Sequence, residues 1–218
     1  MRATVSILIA TAALGAISLT ATALAAEPAG DAAPKVPHMT REEALAYLAE
    51  ENLALDPTNL VSPIMRGKVE LVEALLSAGV DANDRKNLPQ PVLQLAASSC
   101  SGHDVETPTI LAMIEVLLAH GAQVNPPGAG ELSPLMVAVQ QCPPAVVRRL
   151  LRAGADIHFR TSLGISTLAM ALIVKNYDAA EVLIDAGARL SPEAAGKLLT
   201  GKKDDARLVA LVKRARAK

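Results

Sequence analysis

The sequence has 218 residues, with 21 basic and 22 acidic side chains, two Tyr, one Phe and no Trp. Its formal net charge of −1 gives no electrostatic reason to expect nucleic acid or an anionic membrane as a partner. Because aromatic side chains are so scarce, the core has to be built from Ala and Leu, which indicates helices packed closely in thin layers.

The first 25 residues have the pattern of an export signal. Arg2 supplies a basic start, residues 5–19 carry no charge, and Ala23-Leu24-Ala25 gives the small-x-small pattern that a signal peptidase requires. A membrane anchor is the alternative, but the apolar run is short for a bilayer span of ~20 residues and no basic cluster follows it. We therefore predict a signal peptide over 1–25 and a periplasmic location in a bacterial cell for the remainder.

The segment after the signal changes character at Thr40. Residues 26–39 are rich in Pro, Ala and Gly and lack an apolar period, so a flexible linker is predicted there. Thr40 and Glu43 then have the spacing of a capping box, which predicts the start of a helix. Asn52 stands where a left-handed residue would end that helix. The helix is expected to cap the N-terminal end of the domain.

A short phrase centred on a glycine recurs four times along the chain. The glycines are Gly79, Gly121, Gly154 and Gly187, which lie 42, 33 and 33 residues apart. A period of this length indicates stacked repeats. A glycine directly after a helix fits this position, because the left-handed conformation that ends a helix costs little only for Gly.

The residue pattern within each repeat predicts two short antiparallel helices followed by a loop. In the third repeat, Ser133 suits the N-cap of the inner helix, and Pro134 fits its first turn, where a missing N–H costs nothing. The outer helix carries Val147, Leu150 and Leu151 at the spacing of one buried face.

Two segments depart from this period. The second repeat is about nine residues longer, and we place the extra residues, Ser101 to Thr109, between its helices, where a surface insertion is tolerated. After residue 190, Ser191-Pro192-Glu193 predicts one helix and residues 204–207 begin another with a basic end. A polar outer face suits a terminal capping repeat. An acidic partner is the alternative reading of that basic end.

These segments resemble the ankyrin repeat. Ser133-Pro134-Leu135-Met136 stands where that family has Thr-Pro-Leu-His, and residues 153–158, Ala-Gly-Ala-Asp-Ile-His, stand where it has Ala-Gly-Ala-Asp-Val-Asn. The resemblance covers residues 58–190. It implies an all-α solenoid of about four helix-turn-helix repeats with short β-hairpin fingers, closed by helical caps at 40–57 and 191–218.

The resemblance also implies a partner-binding surface, formed by the finger tips and the exposed ends of the inner helices. The inner-helix ends are Met65, Arg66, Ser98, Ser99, Gln140 and Gln141. The first finger contributes Asn87, Leu88 and Gln90, and the second contributes Ala129, Gly130 and Leu132. The third finger contributes Phe159, Arg160, Ser162, Leu163 and Ile165. Phe159 and Arg160 are residue types that interface hot spots favour, although Phe159 could instead fold under its own hairpin.

The two cysteines of the chain occupy the same place, the end of an inner helix, in adjacent repeats. In an exported chain such a pair suggests a disulfide between Cys100 and Cys142. Packed helices lie ~8–10 Å apart, whereas a disulfide needs Cα atoms within ~4.4–6.8 Å. The disulfide is therefore the expectation, and two buried free thiols are the alternative.

Few residues have the chemistry of a metal or catalytic site. His103 lies beside Asp104 and Glu106, but this spacing matches no known metal site, so neither a metal nor another cofactor is expected. His120 precedes a helix-ending glycine, where a cation suits the helix dipole. The sequence shows no glycine-rich phosphate loop and no nucleophile–base motif. An enzyme is therefore not predicted.

The remaining hypothesis is an exported module that binds a periplasmic protein. By resemblance to small exported proteins of this kind, its role would be that of an inhibitor, an immunity protein or a helper of a periplasmic enzyme, which is an analogy at the level of the fold. The alternative is a structural or stress-related envelope protein without an enzyme partner.

Overall fold

The structure is a computed structural model that describes residues 38–88, 90–101, 105–126, 132–201 and 204–216. The predicted signal peptide and residues 26–37 of the predicted linker lie outside the described residues. The described segments form eleven α-helices and two 3-10 turns. Their bounds are α1 Arg41–Glu50, a 3-10 turn Pro57–Leu60, α2 Val61–Met65, α3 Val69–Ala78, α4 Val92–Ser98, a second 3-10 turn Ser99–Ser101, α5 Thr107–Ala119, α6 Pro134–Gln141, α7 Pro144–Arg152, α8 Thr167–Ile173, α9 Tyr177–Asp185, α10 Pro192–Leu199 and α11 Ala206–Ala215.

The helices form two layers. The inner layer stacks α2, α4, α6, α8 and α10 in order, and the outer layer stacks α3, α5, α7, α9 and α11, with α1 against α3 at the N-terminal end. One continuous core of Ala, Leu, Val and Ile side chains runs between the layers from Ala44 to Ala215. The predicted all-α solenoid of helix pairs is therefore confirmed.

The helix ends follow the predicted chemistry. Thr40 and Glu43 form the capping box in front of α1, and Asn52 has a φ of 53°. Ser133 accepts a hydrogen bond from the Met136 amide as the N-cap of α6. Gly154 has a φ of 88°, and the other three repeat glycines also have positive φ, which explains why glycine recurs there.

The predicted β-hairpin fingers are short. The third finger closes with an antiparallel bridge between Arg160 and Ser166. The first finger is described as turns around Asn87, whose φ is 63°. Ala129 and Gly130 of the second finger lie outside the described residues. Among the described residues, no run of bridges is long enough to be called a strand.

The insertion in the second repeat is shorter than predicted. Helix α5 already begins at Thr107, so the last residues of the predicted 101–109 insertion belong to its first turn, where Pro108 is well tolerated. The side chains of Val105 and Thr109 lie over Gly67, and a Cβ atom placed there would approach each of them to 2.9 Å. The insertion is thereby anchored on the first repeat.

Asparagine side chains connect the loops of successive repeats. The side-chain NH2 of each asparagine donates a hydrogen bond to the carbonyl oxygen of the glycine in the next repeat. Its side-chain oxygen accepts a hydrogen bond from the backbone amide two residues after that glycine. The bonds are Asn83 Nδ2 to Gly121 O at 2.8 Å, Gln123 N to Asn83 Oδ1 at 2.9 Å, Asn125 Nδ2 to Gly154 O at 2.8 Å and Asp156 N to Asn125 Oδ1 at 2.8 Å. In the third repeat His158 takes this position, and it makes neither bond to the described residues of the next loop.

Exchanging residues at this position should change stability in opposite directions. Asn125→Ala should lower the free energy of unfolding by about 1 kcal/mol, because two inter-repeat hydrogen bonds are lost. His158→Asn should raise it by a similar amount by adding the missing bridge. Urea unfolding followed by circular dichroism measures both, with Gln141→Ala on the exposed surface as the control. A His158→Asn protein less stable than the wild type would contradict this account.

Candidate functional site

A groove opens between the third finger and the last two inner helices. Its volume is about 470 Å³, and its walls come from the finger, from α8 and from α10. The side chains that give it chemical character are Arg160, Leu163 and Ile165 of the finger, Ile173 of α8, and Glu193 and Lys197 of α10.

The groove presents apolar side chains that the core does not need. Leu163 is 81% exposed and Ile173 is 45% exposed, and both face the same groove. A single exposed Leu is common on protein surfaces, but two large aliphatic side chains beside one concavity, rimmed by charged groups, mark a place where another molecule can bury apolar area.

The charges around the groove are weakly engaged. The Arg160 guanidinium donates to the carbonyl of Gly164 in its own finger at 3.2 Å. Lys197 pairs with Glu193 one helical turn away at 2.7 Å, with both side chains 77% exposed. Ion pairs this exposed contribute little to stability, so these groups can exchange their present partners for those of a bound protein.

The predicted surface residues fall into three groups. The exposed residues are Met65, Arg66, Asn87, Gln141, Arg160, Ser162 and Leu163. The partly buried residues are Gln90, Ser98, Leu132, Gln140, Phe159 and Ile165. Leu88 and Ser99 are buried, contrary to the exposure that the resemblance implied for them. Leu88 is 8% exposed because it closes the core under the first finger, and the Ser99 hydroxyl donates to Ala96 O at the end of α4.

Phe159 does not line the groove, although its neighbour Arg160 does. Its carbonyl accepts from the Thr167 amide at 3.3 Å, which helps to close the third finger. Its side chain is partly buried. Phe159 therefore helps to close the third finger, and its side chain is not among those that line the groove.

The sequence analysis missed Ile173, Glu193 and Lys197 as groove residues. Ile173 ends α8 just as Met65 ends α2, so the inner-helix rule applied to the fourth repeat would have found it. Glu193 and Lys197 lie on α10 in the C-terminal cap, and no repeat pattern relates them to the fingers.

The predicted disulfide is present, between Cys100 and Cys142, with a Cα–Cα distance of 5.1 Å. The helix axes do not need to approach, because both residues lie at helix ends. Cys100 belongs to the 3-10 turn after α4, and the backbone at Cys142 becomes extended at the end of α6. The bond joins the inner-helix ends of the second and third repeats beside Ser98 and Gln141.

A second polar cluster lies in the outer layer of helices, at Glu73 of α3. Its carboxylate contacts His38 Nδ1 at 2.8 Å and His120 Nε2 at 3.0 Å. Burial alone would raise the pKa of Glu73, but hydrogen bonds from His38, His120, the Met39 amide and Ser77 together hold that pKa below its ordinary value. The end of the predicted linker, His38 and Met39, is thus docked on the first repeat.

The basic end of the chain is partly engaged within the domain. Arg207 pairs with Asp178 and Glu181 of α9, and Arg214 pairs with Asp185. These contacts fasten α11 to the fourth repeat. Of these two arginines only Arg214 belongs to the basic end, so the alternative of an acidic partner loses that one cation to an intramolecular ion pair. In the part of the chain that the structure describes, no helix has the length and apolar character needed to span a membrane.

Comparison with known proteins agrees with the geometry. Residues 59–161 match the family model of ankyrin repeats, in three copies. The chain is also 34% identical over 131 residues to a putative ankyrin repeat-containing protein of Treponema pallidum (strain Nichols), an alignment that covers 60% of this chain. It spans 41% of that relative's length. Residues 59–161 are thus similar to ankyrin repeats and fold as all-α stacked helix pairs, and the helix pair α8–α9 continues the same layers beyond the matched residues. Ankyrin repeats indicate a protein–protein interaction module.

Proposed function

We propose that this protein is an exported ankyrin-repeat module that binds another protein of the bacterial periplasm through the groove between the third finger, α8 and α10. The observation that carries this proposal is that Leu163 and Ile173, 81% and 45% exposed, line the same groove together with Arg160 and Lys197. The pattern of residues 1–25 supports the export.

The chemistry of the groove describes the segment that would fit it. An apolar side chain of the partner would insert between Leu163 and Ile173, where it removes exposed aliphatic surface from water. A carboxylate beside it would meet Arg160 and Lys197. Arg at the edge of an apolar contact is a frequent hot-spot residue, because its guanidinium binds a carboxylate through two parallel hydrogen bonds.

The scaffold presents this groove with little freedom to lose on binding. Helices α8 and α10, which form two sides of the groove, pack into one continuous core, and the disulfide joins the inner-helix ends of the two preceding repeats. A surface that is already ordered costs less conformational entropy on association. This favours specific capture of one partner, as an inhibitor, an immunity protein or a helper of a periplasmic enzyme requires.

Removing the two aliphatic side chains should weaken capture of the partner. The double variant Leu163→Ala, Ile173→Ala, purified from the periplasm, should lose partner affinity by a factor of about 10 or more, because each truncated hot-spot side chain typically costs at least ~1 kcal/mol. Cross-linking and pull-down from periplasmic extract, followed by titration with the captured protein, measure this loss.

The matched control is Leu45→Ala, which removes a 41%-exposed leucine from α1, away from the groove. Its capture should equal that of the wild type. Equal capture by the groove variant and the wild type would contradict the proposed surface. If the wild type captures no protein in stoichiometric amount, the alternative of a structural or stress-related envelope protein is favoured instead.

A further inference from the structure

The cluster of His38, Glu73 and His120 combines three elements that are distant in sequence. His38 precedes α1, Glu73 lies in α3, and His120 is the C-cap of α5. Each offers one ligand atom, and these atoms all lie within 4.8 Å of one another. The N-terminal cap and the first two repeats therefore converge on this one cluster.

Among the described residues, no lysine or arginine pairs with the carboxylate at the centre. Glu73 is 3% exposed. Its hydrogen-bond partners within the described residues are two imidazoles, the Met39 amide at 3.3 Å and the Ser77 hydroxyl at 3.0 Å, with no Lys or Arg among them. A buried carboxylate normally requires a compensating charge, and a bound cation would supply one here.

We propose that His38, Glu73 and His120 form a binding site for a divalent transition metal of the zinc class. Two imidazole nitrogens and one carboxylate oxygen are ligands that Zn²⁺ prefers, at distances of ~2.0–2.2 Å. Such distances place tetrahedral ligand atoms about 3.3 Å apart. The His–Glu contacts of 2.8 and 3.0 Å are already near this separation, so small side-chain movements would create the site.

The surroundings are suited to a metal. The Ser77 hydroxyl and the Met39 amide both donate to Glu73 Oε1, and such second contacts orient a ligating carboxylate. The His38 side chain is 81% exposed, which leaves a route for the ion and an open side for water as a fourth ligand, whereas the His120 side chain is 17% exposed. The bound ion would clamp the segment before α1 onto the first two repeats. This proposal is independent of the groove and of the partner.

Zinc titration of the untagged, chelator-treated protein tests the site. We expect calorimetry to give one Zn²⁺ per chain, and Zn²⁺ at about 100 times its Kd to raise the midpoint of thermal unfolding by about 5–10 °C. Co²⁺ used in place of Zn²⁺ should give visible absorption bands from nitrogen and oxygen ligands. Both cysteines are in the disulfide, so no thiol competes for these ions.

Variants separate the site from other histidines. His38→Gln and His120→Gln should each weaken Zn²⁺ binding by a factor of about 10 or more, and His38→Gln should do so in a folded protein because its side chain is exposed. His158→Gln and His103→Gln are the controls and should bind like the wild type. Absence of Zn²⁺-induced heat and stabilisation in the wild type would overturn the proposal. So would unchanged binding by His38→Gln and His120→Gln, or an equal loss in either control.

Discussion

Replacing both cysteines with serine should lower the free energy of unfolding by about 4 kcal/mol. The bond between Cys100 and Cys142 joins residues 42 positions apart, and closing a loop of this size restricts the unfolded chain by about that amount in the chain-entropy model. Because the bond connects two adjacent repeats in the middle of the stack, its loss weakens the interface on which the neighbouring helix pairs depend.

Urea unfolding of the oxidised wild type, the reduced wild type and the Cys100→Ser, Cys142→Ser variant measures this effect. The reduced wild type and the variant should unfold at the same lower urea concentration, and adding a reductant to the variant should change nothing. Mass spectrometry of unreduced protein should find neither thiol alkylated. Equal midpoints with and without reductant, or two alkylated cysteines, would refute the prediction.

Leu135→Ala should lower the free energy of unfolding by about 3–4 kcal/mol. Leu135 lies near the start of α6, is 1% exposed, and belongs to the core between the two layers. Leu93 in α4 and Leu168 in α8 are buried in the same way in the neighbouring repeats. Because the core is continuous, a cavity in the central repeat also weakens the packing of both neighbours.

The same change at Leu163 is the matched control. Leu163 is 81% exposed, so Leu163→Ala should alter the free energy of unfolding by no more than about 0.5 kcal/mol. Denaturant unfolding of the two variants, side by side, separates the structural leucine from the one proposed to bind a partner. A large loss of stability in Leu163→Ala, or a small one in Leu135→Ala, would show that these roles are assigned incorrectly.

The local features of the fold could be predicted because they depend on residues close in sequence. The capping box of Thr40 and Glu43 spans three residues, and a glycine such as Gly154 acts on the helix directly before it. Their geometry follows from backbone sterics and from nearby hydrogen bonds, so no knowledge of the packing was needed. The sequence suggested a disulfide between the two cysteines. Whether their Cα atoms lie close enough for the bond depends on the backbone path at the ends of α4 and α6.

The errors arose where exposure depends on contacts between distant segments. Leu88 and Ser99 occupy positions that the repeat exposes in general, yet here the loop folds Leu88 into the core and Ser99 turns its hydroxyl to the backbone of α4. The groove is completed by Lys197 of the cap, which lies outside the repeats. The burial of Leu88 and Ser99 and the position of Lys197 each depend on how helices and loops of neighbouring repeats pack against one another.

The sequence by itself determined the repeat period, the helix pairs and their ends, because these follow from apolar spacing and from the backbone preferences of glycine, proline and capping residues. Tertiary structure decided which side chains became neighbours across repeats. It joined the cysteines, opened the groove beside Leu163, and brought two histidines to the buried carboxylate of Glu73. Such neighbours are separated by tens of residues, and only the stacking of the helix layers fixes the distances between them.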